Sequence, residues 1–273
     1  MIRREEKAGK IEKILKLAFR IIFLATIFLL MNSAPLLVAV VCKMLGTNMG
    51  DLKLTGGMAM AIHNINIVMT TSILWLTSKK MRIRLPDKAE ISKESLKSSV
   101  MLFIGFYPLM IGMNALSVFL TGTKPVAASG TFSQDMIPFI VLIAPICEEI
   151  AFRKHIYGYL EQFLSKNATI IIQAVLFGLY HGNFNQFCYT TVFAIMLGIL
   201  RSQNGSFITG ILVHIMLNSI GMLSVFFGKG EKAEIIQQYS PTYGIIALTM
   251  FVVGILLVKK HWTSFQNIAE VGD

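Results

Sequence analysis

The side chains able to do chemistry are few, and they lie inside apolar runs. Cys147-Glu148-Glu149-Ile150-Ala151-Phe152-Arg153 follows directly on Val141-Leu142-Ile143-Ala144-Pro145-Ile146. Phe177-Gly178-Leu179-Tyr180-His181 ends a second run, and His214-Ile215-Met216-Leu217-Asn218 sits within a third. An ionisable side chain in a membrane interior costs about 2.5–3.5 kcal/mol on insertion scales, so its presence there points to function. On a helix Glu148 and Glu149 point roughly 100° apart, and Arg153 lies one turn beyond Glu149 on the same face. Glu149 and Arg153 can therefore pair. That leaves Glu148 without a local counter-charge and suited to act as an acid or a base.

The set makes chemical sense if the three helices converge. A carboxylate beside an imidazole, Glu148 with His181, can hold a water and take its proton, which is general-base hydrolysis. A second imidazole and an amide one turn apart, His214 and Asn218, can donate to the oxyanion that forms on a scissile carbonyl. Two imidazoles and a carboxylate equally suit a catalytic zinc with one open position, so Glu148, His181 and His214 are also candidate metal ligands. The spacing leaves both readings open. The plainer alternative makes the carboxylates an interfacial helix end and the His and Asn residues polar glue between helices.

In order and spacing, EEIAFR (148–153), FGLYH (177–181) and HIMLN (214–218) match three motifs, EExxxR, FxxxH and HxxxN/D. Over 136–227 the chain thus resembles the CAAX-protease and bacteriocin-processing (CPBP, or Abi) family of intramembrane proteases. The resemblance implies an eight-helix membrane endopeptidase whose site faces the cytoplasmic side. It also implies Glu148 as general base helped by His181, His214 and Asn218 as the oxyanion-side pair, and Glu149 with Arg153 organising the first motif. Metal-dependent and metal-free glutamate mechanisms are both associated with the family, so the cofactor stays open between one zinc ion and none. Other intramembrane protease signatures are absent: there is no HExxH, no GxSxG and no GxGD.

The elements that must position these residues are membrane helices. Of 273 residues 54% are hydrophobic and 15% charged, against about 25% charged in an average soluble domain. Mean hydropathy is +0.64. Five segments, 20–42, 58–78, 99–120, 206–227 and 242–258, approach the ~20 apolar residues a helical span requires. A sixth, 136–152, is apolar up to the carboxylates, and 168–181 and 187–200 are apolar but short, either tilted spans or a hairpin that dips in and returns. The expectation is an all-α, polytopic bundle of about eight membrane helices forming one integral membrane domain, 1–273. With the N-terminus inside, the inner segments hold 20 Lys and Arg and the outer ones five. That split follows the positive-inside rule and places both termini in the cytoplasm.

The net charge of +10 does not indicate nucleic acid, because the basic residues flank apolar runs instead of forming one stripe. The expected partners are the lipid bilayer, whose headgroups supply the acidic surface, and a peptide or membrane-anchored protein substrate. The expected location is the cell membrane, multi-pass. Cys42, Cys147 and Cys188 are too scattered for a disulfide framework and read as small buried hydrophobes. The basic N-terminus reads as a retained helix leading into the first span. His63, Asn64 and Asn66 read as helix–helix hydrogen bonding, His155 as solvated and His261 as interfacial. Residues 198, 210, 219 and 221, Gly or Ser, read as sites of close helix approach. Two other functions compete with the protease. One is a non-catalytic membrane immunity or binding protein, and the other is an ion-coupled transporter, which no internal repeat supports.

Overall fold

Apolar runs of this length in lipid must satisfy their backbone internally, which leaves helices and closed barrels. The computed structural model describes residues 2–44, 46, 56–80, 93–122, 134–204, 207–227 and 241–270, and no strand occurs among them. The helices fall into long and shorter ones. The long ones are α1 (Ile2–Met31), α3 (Gly56–Lys80), α4 (Lys93–Thr121) and α10 (Pro241–Glu270). Each contains a stretch long and apolar enough to cross a membrane: Ile11–Met31, Gly56–Thr77, Val100–Thr121 and Pro241–Lys259. Large apolar side chains on them face outward, Leu29 and Leu120 above 70% exposed, as hydrocarbon solvent permits.

The expected first span, 20–42, is not one helix. α1 ends at Met31, and a separate α2 (Ala34–Met44) follows. The break is local chemistry. The Asn32 amide donates to the Phe28 carbonyl at 2.8 Å and the Ser33 hydroxyl to the Leu30 carbonyl at 2.6 Å. Pro35, which has no N–H to give, then falls in the first turn of the new helix, where prolines are tolerated. Asn66 of α3 closes the joint by donating to the Leu30 and Met31 carbonyls at 3.1 and 2.9 Å. That is the helix–helix bonding expected of it. The polar connections around 81–92 and 123–133 lie outside the described residues, and His261 is described only as part of the α10 backbone.

The shorter helices carry the motifs. α5 (Ala144–Glu149) is followed without interruption by a π-helical turn (Ile150–Ile156) and α6 (Tyr157–Leu160). α7 (Lys166–Tyr180) and α8 (Phe184–Asn204) pack along one another, joined by a turn in which Gly182 has φ +64°, a left-handed conformation open to glycine. At ~1.5 Å per residue α7 is about 22 Å long, short of a full crossing. α9 (Ile208–Phe227) completes the group. The core lies where α3, the 150–160 segment, α7 and α8 meet: Phe152, Ile156, Leu160, Phe177, Met196 and Leu197 are all fully buried.

Polar residues fasten this core. His155 is not solvated: it is 5% exposed and shares a hydrogen bond with the Thr71 hydroxyl of α3 at 3.0 Å. Arg201 of α8 donates from Nε to the Arg153 carbonyl at 3.4 Å, approaches Glu161 at 3.8 Å and lies over the Tyr157 ring. Burial first, then the Glu161 charge, pushes the Tyr157 phenol up to about 12, so it packs there as a neutral ring.

Small residues set the helix spacing, though not all of those expected to. A Cβ on Gly178 would strike the Thr191 hydroxyl and come within 3.0 Å of the Phe187 carbonyl, and one on Gly198 would meet the Gln173 amide at 2.7 Å. Gly221 has nothing within 4 Å of such an atom, and the Ser219 hydroxyl bonds its own helix at Ile215. Gly178→Ala is therefore expected to destabilise the protein by about 1–3 kcal/mol through overpacking. Gly221→Ala is expected to be neutral or to stabilise by up to ~1 kcal/mol through helix propensity. Thermal unfolding of the two variants in one detergent checks the contrast.

Candidate active site

The first motif sits on a helix that is wound unevenly. Phe139–Ile143 is π-helical, with the Ala144 N–H reaching back five residues to the Phe139 carbonyl. Pro145 supplies a reason, since it has no N–H for the ordinary i→i−4 bond to Val141. Ile150–Ile156 is π-helical again, the Tyr157 N–H bonding the Phe152 carbonyl. Two widened turns thus bracket the six residues that end in Glu148 and Glu149, and such turns are frequent at functional sites.

Glu149 and Arg153 are both completely buried and pair at 3.1 Å, the contact their spacing suggested. The Glu149 oxygen that meets Arg153 also lies 3.0 Å from His214 Nδ1 on α9. A carboxylate can only accept, so Nδ1 of His214 carries the proton in this contact and Nε2 faces away from Glu149. Gly210 makes the approach of α9 possible, because a Cβ there would stand 3.0 Å from the other Glu149 oxygen. The Arg153 guanidinium lies 4.4 Å over the Phe177 ring, a cation–π contact in a desolvated place.

Phe177 is therefore more than the first letter of its motif. Its ring meets His181 edge-on at 4.8 Å and His214 at 6.1 Å, while Phe193 supports His214 from α8 at 4.9 Å. Its carbonyl, four residues before the end of α7, is freed when the helix tightens and the His181 N–H bonds Gly178 instead. His181 Nδ1 takes that carbonyl at 2.8 Å. A carbonyl also only accepts, so Nδ1 donates and Nε2 is left as the basic side of the ring. The spacing FxxxH thus does two jobs on one residue, backbone anchor and ring support.

Glu148 is the carboxylate that remains. It is 12% exposed, and its Oε2 lies 3.8 Å from His214 Nε2, beyond a direct hydrogen bond. The Arg153 guanidinium on the same helical stretch lies within its electrostatic reach, as do the His181 and His63 imidazoles. Asn218 occupies the next turn after His214, but its amide donates to the Ile140 carbonyl in the first π-turn at 2.8 Å. The structure brings Glu148, Glu149, Arg153, His181 and His214 together, with Asn218 at the edge of the group.

The same geometry tests the zinc alternative. Among the described residues no three His, Cys, Asp or Glu side chains are grouped so as to hold a metal ion. Glu148, His181 and His214 do not fit a three-ligand zinc as they stand. Cys42 is buried, and Cys147 and Cys188 are half-buried.

Residues 134–220 match the family model described as Type II CAAX prenyl endopeptidase Rce1-like. Over this segment the chain is similar to that family. This is the CPBP group that the three motifs resemble, and all seven motif residues, Glu148 to Asn218, fall inside the match. The Rce1-like segment supplies α5 to α8 and two thirds of α9, whereas α1 to α4 and α10 lie outside it. No curated protein matches the chain.

Because Glu149 and Arg153 are buried against each other, removing one partner leaves an uncompensated charge. Arg153→Met is expected to cost about 3–5 kcal/mol of stability. Adding Glu149→Gln should recover much of it, because the neutral amide still accepts from His214 Nδ1. Thermal unfolding of the single and double variants reads this out; a double variant no better than Arg153→Met would contradict it.

Proposed function

We propose that this chain is an intramembrane endopeptidase that cleaves a peptide or membrane-anchored protein tail by general-base hydrolysis. One observation carries the reading. Of two adjacent carboxylates, Glu149 is consumed by Arg153 and His214, and Glu148 is left facing His214 Nε2 with His181 in electrostatic reach.

In this mechanism a water held between Glu148 and the Nε2 of His181 loses a proton to Glu148 as its oxygen attacks the scissile carbonyl. The C–O bond forms and the carbonyl electron pair moves onto oxygen. That oxyanion is met by the Nε2–H of a doubly protonated His214, whose Nδ1–H stays on Glu149, and by the second amide hydrogen of Asn218. Collapse breaks the C–N bond, and Glu148 passes its proton to the departing amine. The low-dielectric surroundings strengthen each of these interactions over their value in water.

The same proposal places the protein in a cell membrane as a multi-pass, single-domain protein with about eight membrane helices, not all of them full crossings, and both termini cytoplasmic. It rests there on four apolar helices of spanning length and on the asymmetry of basic residues. The site then opens toward the cytoplasmic half of the bilayer.

With purified chain in detergent micelles and a mixed-sequence quenched-fluorescent peptide library, Glu148→Gln and His181→Ala should each lower kcat by about 10²–10⁴-fold. Asn218→Ala should lower it by about 10²–10³-fold. Undiminished cutting by Glu148→Gln would remove the basis for the mechanism.

A further inference from the structure

The Rce1-like segment does not contain every polar group beside Glu148. His63 projects from α3, and its ring stacks on Tyr180 at 5.1 Å with the planes 13° apart. The Tyr180 hydroxyl and His63 Nε2 share a hydrogen bond. Tyr180 is 8% exposed, leans on Phe152 at 5.4 Å and meets its neighbour His181 edge-on at 5.5 Å. Glu148 acts electrostatically on both members of the pair, and His181 acts on His63.

We infer that His63 and Tyr180 are positioning residues of the active site, a hydrogen-bonded pair that fixes the His181 imidazole against Glu148. The inference rests on the hydrolytic reading above. A helix–helix tie alone would need only one polar side chain and a carbonyl, as Asn66 shows where it grips the end of α1. Here the tie holds a ring that packs against the imidazole assigned to the attacking water. His181 is anchored at Nδ1 to the Phe177 carbonyl and braced by the Phe177 ring at 4.8 Å. The Tyr180 ring, pinned at its far end by His63, is a second brace on the imidazole. α3 thereby contributes to a site whose motif residues all come from the 144–156 stretch, the end of α7 and α9.

The test uses the full chain in detergent with the peptide library, comparing wild type, Tyr180→Phe, His63→Leu and the double variant by kcat, KM and melting temperature. His63→Leu leaves a buried hydroxyl unpaired and should lower the melting temperature. The double variant replaces both polar partners with apolar groups and should regain it. If the pair positions His181, the double variant stays about 10–100-fold low in kcat with KM little changed, the range typical of lost outer-shell support. Recovery of kcat along with stability would overturn the inference and make the pair helix glue. A Glu148→Gln variant that cuts like wild type, or a wild type that cuts nothing, would overturn the hydrolytic reading and the role of the pair with it.

Discussion

A fully buried ion pair sets the terms for everything around it. Taking a carboxylate and a guanidinium out of water costs several kcal/mol each, and only close geometry with further partners offsets that. Glu149 and Arg153 lie 3.1 Å apart, with His214 on the carboxylate and the Phe177 face beneath the guanidinium, while Glu149 Oε2 and the guanidinium nitrogens find no hydrogen bond among the described residues. Because each of those partners comes from a different helix, the pair fixes α7 and α9 against α5. It also divides the labour between two adjacent glutamates. One is spent on structure, and its neighbour is thereby left to face the two imidazoles.

The parts of this that could be read in the sequence are those that depend on one helix. The i,i+4 spacing of Glu149 and Arg153, the shared face of His214 and Asn218, and the apolar lengths of α3, α4 and α10 all follow from helical repeat alone. What could not be read needs two helices. The bond from Glu149 to His214 spans 65 residues of sequence, and nothing local announces it. His155 read as solvated because it stands among Arg153, Lys154 and Tyr157, yet that run turns inward and Thr71 meets it. The break between α1 and α2 was local and legible in principle, since Asn32, Ser33 and Pro35 mark it; the continuous apolar composition of 20–42 concealed them.

Length also separates the two kinds of helix. α1, α3, α4 and α10 are long and apolar on their outer faces, and α4 packs on α10 through glycine: a Cβ on Gly112 would strike the backbone nitrogen of Phe251, one on Gly254 that of Leu109, and one on Gly244 the Phe119 ring. α7 is too short to cross, and its C-terminal end therefore falls inside the protein. A helix end has carbonyls to spare. At the end of α7 one of them orients His181, so the shortness of the helix is part of how the imidazole is aimed.

The π-wound stretch Ile150–Ile156 has a consequence of its own. A single π-turn is an α-helix carrying one residue too many. Excising any one residue from it would let the ladder heal into ordinary α form, with no loss of apolar character. The helix on either side would keep its facing, because the wider turn already absorbs the extra residue. Excised between Glu149 and Arg153, however, it would move the arginine from the i+4 to the i+3 place, so the buried pair would have to re-form in a different geometry while hydropathy stayed nearly the same. For this protein, then, register along one short stretch is as exacting a requirement as the identity of the charged residues themselves.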